Sequence, residues 1–158
     1  MALLVIAAAL TSPRLITFFR GRALNQEGQR ILALAHYAQS RAVTEGVPVL
    51  LWFDPAKSTY GQNIQAGFGA ADARASSFAL ESSLSLEVPA GDPAPVSEQG
   101  DERFGVMDNL PVIRFTPDGF YDPSSVSRLI LRQGDEAALQ ISPTANRLDY
   151  EILPIKPS

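Results

Sequence analysis

The sequence predicts an α+β fold, a long N-terminal helix packed on antiparallel β-sheets. Three observations carry that expectation. The chain opens on an unbroken apolar run from Met1 to Leu10. Apolar residues then recur at spacings of three, four and seven as far as Ala42, which is the period of one helix face. From Val47 the pattern changes to alternating or continuous β-branched and aromatic runs divided by Gly, Pro and Asp clusters, the signature of strands and turns.

The opening run is interrupted by Thr11, Ser12, Pro13 and Arg14 and resumes with Leu15, Ile16, Phe18 and Phe19. A membrane span needs about 20 predominantly apolar residues, so Met1 to Leu10 alone is too short for one. A secretory signal peptide is the alternative, with Ala7 to Ala9 as small residues near a cleavage point. Such a peptide has a basic stretch ahead of its apolar core, whereas this sequence starts on the core. Further along, Leu24, Ile31, Leu34, Ala35, Ala38 and Ala42 form one apolar stripe expected to face a sheet or neighbouring helices. Gly46 supplies the left-handed conformation that ends helices, and Pro48 cannot continue the ladder. The expectation is a helix of roughly 30 residues up to Glu45, about 45 Å long at 1.5 Å per residue and loosened at Pro13 and Gly21. That exceeds what a domain of this size buries, so part of it projects.

Val47 to Phe53 and Thr59 to Ile64 read as two strands joined by a turn at Asp54 to Lys57. Phe78, Leu80, Leu84, Leu86 and Val88 share one parity, as on a half-buried strand, and Ser82 breaks that face so that two short strands are an alternative. Pro89 to Asn109, rich in Pro, Gly, Asp and Glu, is expected to be an exposed loop. A β-meander is expected to follow: Val112 to Phe115, a Pro117-Asp118-Gly119 turn, Val126 to Leu131, a Gly134-Asp135 turn, Ala137 to Ile141, and Leu148 to Ile152. In the last two strands Leu139 and Ile141, then Leu148, Tyr150 and Ile152, alternate as on a sheet with one core face. Two units result: a hydrophobic helix segment, residues 1–22, and a globular part, residues 23–158.

The 158 residues suffice for one core. No cysteine is present, which removes disulfides, thiolate metal sites and a thiol nucleophile. A net charge of −4 argues against a nucleic-acid partner, because affinity for phosphate backbones rests on Lys and Arg displacing counterions. The early arginines Arg14, Arg20, Arg22 and Arg30 read as a solvated or headgroup-facing surface.

Chemistry is sparse. His36, the one histidine, has no G-x-S-x-G nucleophile turn to serve and reads as an ordinary helix residue. Asp92, Glu98, Asp101 and Glu102 lack the alternate spacing of a calcium loop, and Gly67 and Gly69 follow no phosphate-binding pattern. Trp52 and Phe53 read as core or sheet-face residues. Phe18 and Phe19 differ, because on a projecting helix they need lipid or another subunit to cover them. No catalytic residue, metal ligand or cofactor is expected, and no enzyme.

Three stretches carry a resemblance across essentially the whole chain: Phe18-Phe19-Arg20-Gly21-Arg22-Ala23-Leu24, the helix end from Ala38 to Val49, and Ile113-Arg-Phe-Thr-Pro-Asp-Gly119. In this order, after an apolar N-terminus, they resemble the minor pseudopilins of type II secretion, specifically the H subunit, and the related minor pilins of type IV pili. The resemblance implies a single-pass protein of the bacterial inner membrane with its globular domain in the periplasm, assembled with other pseudopilin or pilin subunits into a short filament that helps extrude secreted proteins. In that picture Leu3, Leu4, Val5, Ile6, Leu10, Pro13, Leu15, Ile16, Phe18 and Phe19 sit first in inner-membrane lipid and then among neighbouring helices. Leu24, Ile31, Leu34, Ala35, Ala38 and Ala42 pack the helix on its sheets, and the loops, especially Pro89 to Asn109, face neighbours or secreted cargo. Family precursors carry a short basic leader, a glycine at the cleavage point, an aromatic residue and a glutamate soon after. The resemblance places these upstream of Met1, the alternative being a divergent, unprocessed member. Two other readings stand beside it: a type IV minor pilin, including the DNA-uptake kind, which relies on C-terminal basic residues that Asp149 to Pro157 do not supply, and a secreted β-sheet protein with a degenerate signal peptide.

Overall fold

The computed structural model describes residues 2–69, 71–89 and 110–155, with side chains from residue 21 onward. The one helix among the described residues, α1, spans Ala2–Glu45, 44 residues. The apolar opening and the amphipathic stretch are therefore one element, longer than the expected 30 residues, and it runs through Pro13 and Gly21 without a break. A proline removes one backbone donor, and the helix continues on either side of that lost bond. Gly46 ends it in the expected way, with φ of +67° and its N–H on the Ala42 carbonyl at 3.0 Å, the positive φ that favours glycine at this position.

Eight strands follow among the described residues: β1 Val49–Asp54, β2 Thr59–Ile64, β3 Ser76–Ala79, β4 Ser85–Glu87, β5 Val112–Phe115, β6 Leu129–Gln133, β7 Ala137–Pro143 and β8 Tyr150–Ile155. They form two antiparallel sheets, ordered β3-β2-β1-β5 and β4-β6-β7-β8. The Phe78–Val88 stretch is thus two short strands, one in each sheet. Leu24, Ile31, Leu34, Ala35, Ala38 and Ala42 are buried against Val49, Leu51, Phe53 and Tyr60 of the first sheet and Leu129, Leu131, Leu139 and Ile141 of the second. Small residues on the helix let it lie close: a Cβ at Gly28 would stand 3.1 Å from Leu139 Cδ1 and 3.4 Å from Ile152 Cδ1.

The four-strand meander expected after Asn109 divides between the sheets. β5 pairs with β1, and only β6, β7 and β8 form a meander. The reason lies in the outer edge of β5. Residues 121–126 run back along it, with Asp122 N–H on Arg114 O at 2.8 Å and Val126 N–H on Val112 O at 3.0 Å, while Ser125 Oγ accepts the Arg114 N–H at 2.9 Å. That segment meets the backbone demand of the edge without being a strand, so β6 starts at Leu129 rather than Val126. Leu148 is likewise misplaced by alternation: it lies in the turn before β8 and is 49% exposed, whereas Tyr150 is buried. The Pro89–Asn109 loop lies almost wholly outside the described residues.

In the first sheet Gly61, opposite Trp52, has no room for a side chain. A Cβ there would fall 2.0 Å from the Ser76 carbonyl oxygen and 2.6 Å from Trp52 Cζ2. Only glycine fits, because β2 and β3 meet at that point with the indole laid over them.

Candidate functional site

The helix and its seat on the β domain bury three polar side chains among the described residues, Glu27, Arg41 and Gln62. Near the top of the seat Glu27 is 7% exposed and its Oε1 accepts the Tyr60 hydroxyl at 2.5 Å. Burial, then the neighbouring carboxylate, push the Tyr60 phenol well above its ordinary range, so it stays a donor. Arg30 stands 3.6 Å from Glu27 and lies over the Phe78 ring, 5.5 Å from its centre, a cation–π contact.

Midway down, Gln39 Nε2 donates to Gly119 O at 2.7 Å and to Leu148 O at 3.0 Å. One amide thereby holds two turns, from β5's far end and from the β7–β8 connection, onto the same helix. The Gly119 turn needs a φ of +86°, and Gly119 N–H donates to Thr116 O at 2.9 Å, as its Pro-Asp-Gly chemistry predicts. His36 Nε2 meets Asp149 Oδ1 at 2.5 Å, both about half exposed. Burial opposes the charged Asp149, but the His36 bond and its own Tyr150 N–H outweigh it, and its carboxyl is held below the usual range.

At the lower end Arg41 is 4% exposed. Its guanidinium bonds Glu45 Oε1 at 2.8 Å, Gln62 Oε1 at 2.7 Å and Asp72 Oδ2 at 3.0 Å, with a second, shorter bond to the other Asp72 oxygen. The planar five-donor fork suits this bidentate arrangement. Asp72 also accepts the Ile64 N–H at 2.7 Å and the Arg74 N–H at 3.0 Å. Burial works against the charged Asp72; Arg41 and the two amides win, and its carboxyl is depressed. Glu45 is depressed by its Arg41 bond above all, with Arg74 at 2.9 Å assisting. The helix end is therefore riveted to β2 and to the β2–β3 connection.

His36 and Asp149 form a pair to which no hydroxyl is bonded at the imidazole among the described residues, and no group of three His, Cys, Asp or Glu there has metal-site geometry. Open clefts of about 270, 360 and 390 Å³ lie by Ala23–Arg30, Tyr121–Arg147 and Gln133–Glu136, and His36 lines none of them. Leu3, Leu4, Val5, Ile6, Leu10, Pro13, Leu15, Ile16, Phe18 and Phe19 lie on the N-terminal part of α1, where side chains are outside the description. Sequence reasoning missed Glu27, Gln39, Arg41, Gln62 and Asp72. Two signals were available: Glu27 sits between Leu24 and Ile31 on the core face, and Arg41 precedes Glu45 by one helical turn.

Residues 27–145 match the family described as type II transport protein GspH. The chain belongs to this family. Two solved structures of the minor pseudopilin EpsH from the type 2 secretion system of Vibrio cholerae share the fold: both have a TM-score of 0.52 and 12% identity, covering 85% and 87% of this chain and 98% and 96% of EpsH. No curated protein matches. GspH membership makes this chain a minor pseudopilin of type II secretion, as the sequence motifs implied. GspH pseudopilins are membrane-anchored periplasmic subunits that assemble with other pseudopilins. Among the described residues of this chain no helix is long and apolar enough to cross a membrane.

Proposed function

We propose that residues 1–22 anchor the chain in the inner membrane by a single pass and later pack among the helices of neighbouring subunits, while residues 23–158 form the periplasmic unit. The observation that carries this is the length of α1 beyond its seat. The helix starts at Ala2, yet the first side chain buried on the β domain, among those described, is Leu24. At 1.5 Å per residue, about 33 Å of helix precede it. Its residues Leu3 to Ile6, Leu10, Leu15, Ile16, Phe18 and Phe19 suit lipid and a helix bundle alike, because both solvents demand that the backbone be satisfied internally and the surface be apolar.

The protein's role is mechanical and associative, without catalysis. The Arg41, Gln39 and Glu27 contacts support that role by fixing the β domain rigidly to the helix, so that a displacement of one is a displacement of the other. Spheroplasts of the host test the topology: protease added outside should digest the domain and leave a membrane-protected N-terminal fragment. Full protection of the β domain, or release of the intact chain by salt washing, would contradict the anchor.

A further inference from the structure

A cleft of about 360 Å³ opens between residues 121–127, which lie along the first sheet, and the β7–β8 connection of the second. Its size falls in the range of roughly 300–1,000 Å³ typical of small-molecule sites. Five of its nine lining residues carry a hydroxyl, Tyr121, Ser125, Ser127, Ser142 and Thr144; Arg147 is the one cation, and none of the nine is an acid. Both walls are held in place by the fold. The first hangs on the edge of β5 through the Asp122 and Val126 N–H groups, and the Tyr121 ring packs on the buried Tyr150, centres 5.3 Å apart. The second is a turn in which Arg147 N–H donates to Thr144 O at 2.9 Å and Thr144 N–H to Asp149 O at 2.8 Å, and Gln39 ties it to α1 through Leu148 O. Arg147 itself has φ of +59°, a left-handed conformation uncommon for a residue with a side chain and concentrated at functional sites. Its side chain is exposed and pairs with no carboxylate among the described residues. The nearby acids are engaged elsewhere: Asp122 with Arg114 and Ser124, Asp149 with His36.

We propose that this cleft binds a sugar acid, a pyranose unit carrying one carboxylate. Hydroxyls both donate and accept, as those of a sugar do, and two here keep a proton to give. Ser125 Oγ, on a buried side chain, accepts the Arg114 N–H, and Ser142 Oγ accepts Gln140 Nε2; neither donates within the described residues. The Tyr121 ring, with Pro123 and Pro143, supplies apolar surface for the C–H face of the pyranose. The Arg147 fork matches a carboxylate in a bidentate pair. One cation balances one negative charge, so a dianionic phosphate fits less well, and a nucleic acid, held through several cations, does not fit. GspH pseudopilins are periplasmic, which puts two sources of this chemistry within reach: the cell-wall glycan, whose muramic units carry a lactyl carboxylate, and uronates of soluble polysaccharide. The site is independent of the anchoring role given to residues 1–22.

Ligand-observed NMR titration of the full chain in detergent micelles tests the site. The probes are N-acetylmuramic acid, galacturonic acid, their uncharged counterparts N-acetylglucosamine and galactose, and acetate as a carboxylate without a sugar. Expected is saturable binding of at least one of the two acids, with its uncharged counterpart and acetate each weaker by about tenfold or more. Arg147→Asn should lose about tenfold or more in affinity for that acid. Its melting temperature should not fall, because asparagine accepts the left-handed conformation more readily than arginine. Binding of the muramic acid alone assigns the cell-wall glycan as the source, of galacturonic acid alone the uronates, and of both the carboxylated pyranose as a class; each of these supports the proposal. No saturable binding of either acid, acetate or the neutral sugars binding as well as the acids, or undiminished affinity in Arg147→Asn would overturn it.

Discussion

Arg41→Ala is the perturbation from which the structure predicts the largest loss in the polar seat. The guanidinium side chain is 3% exposed and faces Asp72 at 12% and Glu45 at 21%, with the fully buried Gln62 as a third acceptor. Removing one partner of a buried ion pair costs about 3–5 kcal/mol, because the remaining charge is left uncompensated. Here the lower end applies. Asp72 keeps two backbone N–H donors and Glu45 keeps Arg74, so neither carboxylate is orphaned. A loss of about 3 kcal/mol is a large share of the 5–15 kcal/mol typical of a folded domain, and at roughly 2–4 °C per kcal/mol it lowers the melting temperature by about 6–12 °C. Thermal and denaturant unfolding of the full chain in detergent micelles measure it. Arg41→Lys should fall between parent and alanine variant, keeping the charge and losing the fork. A loss under about 1 kcal/mol for Arg41→Ala, the range of exposed pairs, would refute the claim that this network rivets the helix to the β domain.

Gly61→Ala should cost about 3 kcal/mol or more, at the top of the overpacking range, because the clash is with the Ser76 backbone and cannot be relieved by a rotamer; an urea midpoint close to the parent's would contradict the close approach of β2 and β3. Tyr60→Phe should cost about 1–3 kcal/mol by leaving the buried Glu27 oxygen without its donor, and it should do so with the fold's circular dichroism unchanged. Acid should destabilise the chain. Asp72, Glu45 and Asp149 all have folded-state values below their ordinary ones, so around pH 4 the unfolded chain binds more protons than the folded one. Their contribution is complete above the ordinary carboxylate range and disappears as pH falls through the depressed values. Melting temperature should be flat near neutrality and fall below about pH 4, and the fall should be shallower in Arg41→Ala; an equal acid slope in both would remove Arg41 as its cause.

The helix and its core face were legible because period reports burial directly: Leu24, Ile31 and Ala38 are where spacing puts them. Most strand segments were legible for the same reason, since β-branched and aromatic runs bounded by Gly and Pro have few alternatives. Sheet membership was not. β5 and β6 both read as strands, but whether a strand pairs with its successor depends on what satisfies its outer edge, and here Asp122, Ser125 and Val126 do so from an irregular segment of which the pattern marks only Val126 as strand. Leu148 shows the limit of parity: it continues the alternation of Tyr150 and Ile152 into a turn where alternation has no meaning. The polar seat was illegible in part because its members are far apart in sequence. Arg41 meets Asp72 and Gln39 meets Leu148 only once the sheets exist, and a buried arginine on a helix looks like a solvated one until its partners are placed. The protein's assembly role came from ordered motifs rather than from composition, which excluded nucleic-acid binding and thiol chemistry but named no function.

Secretion itself tests the central claim most directly. In a host lacking this chain, the amount of a type II substrate reaching the medium should fall sharply and accumulate in the periplasm, and be restored by the parent chain but not by one carrying Ile16→Arg and Phe18→Arg on the N-terminal part of α1. Undiminished export in the absence of the chain, or full restoration by the double-arginine variant, would contradict a pseudopilin that acts through its N-terminal helix.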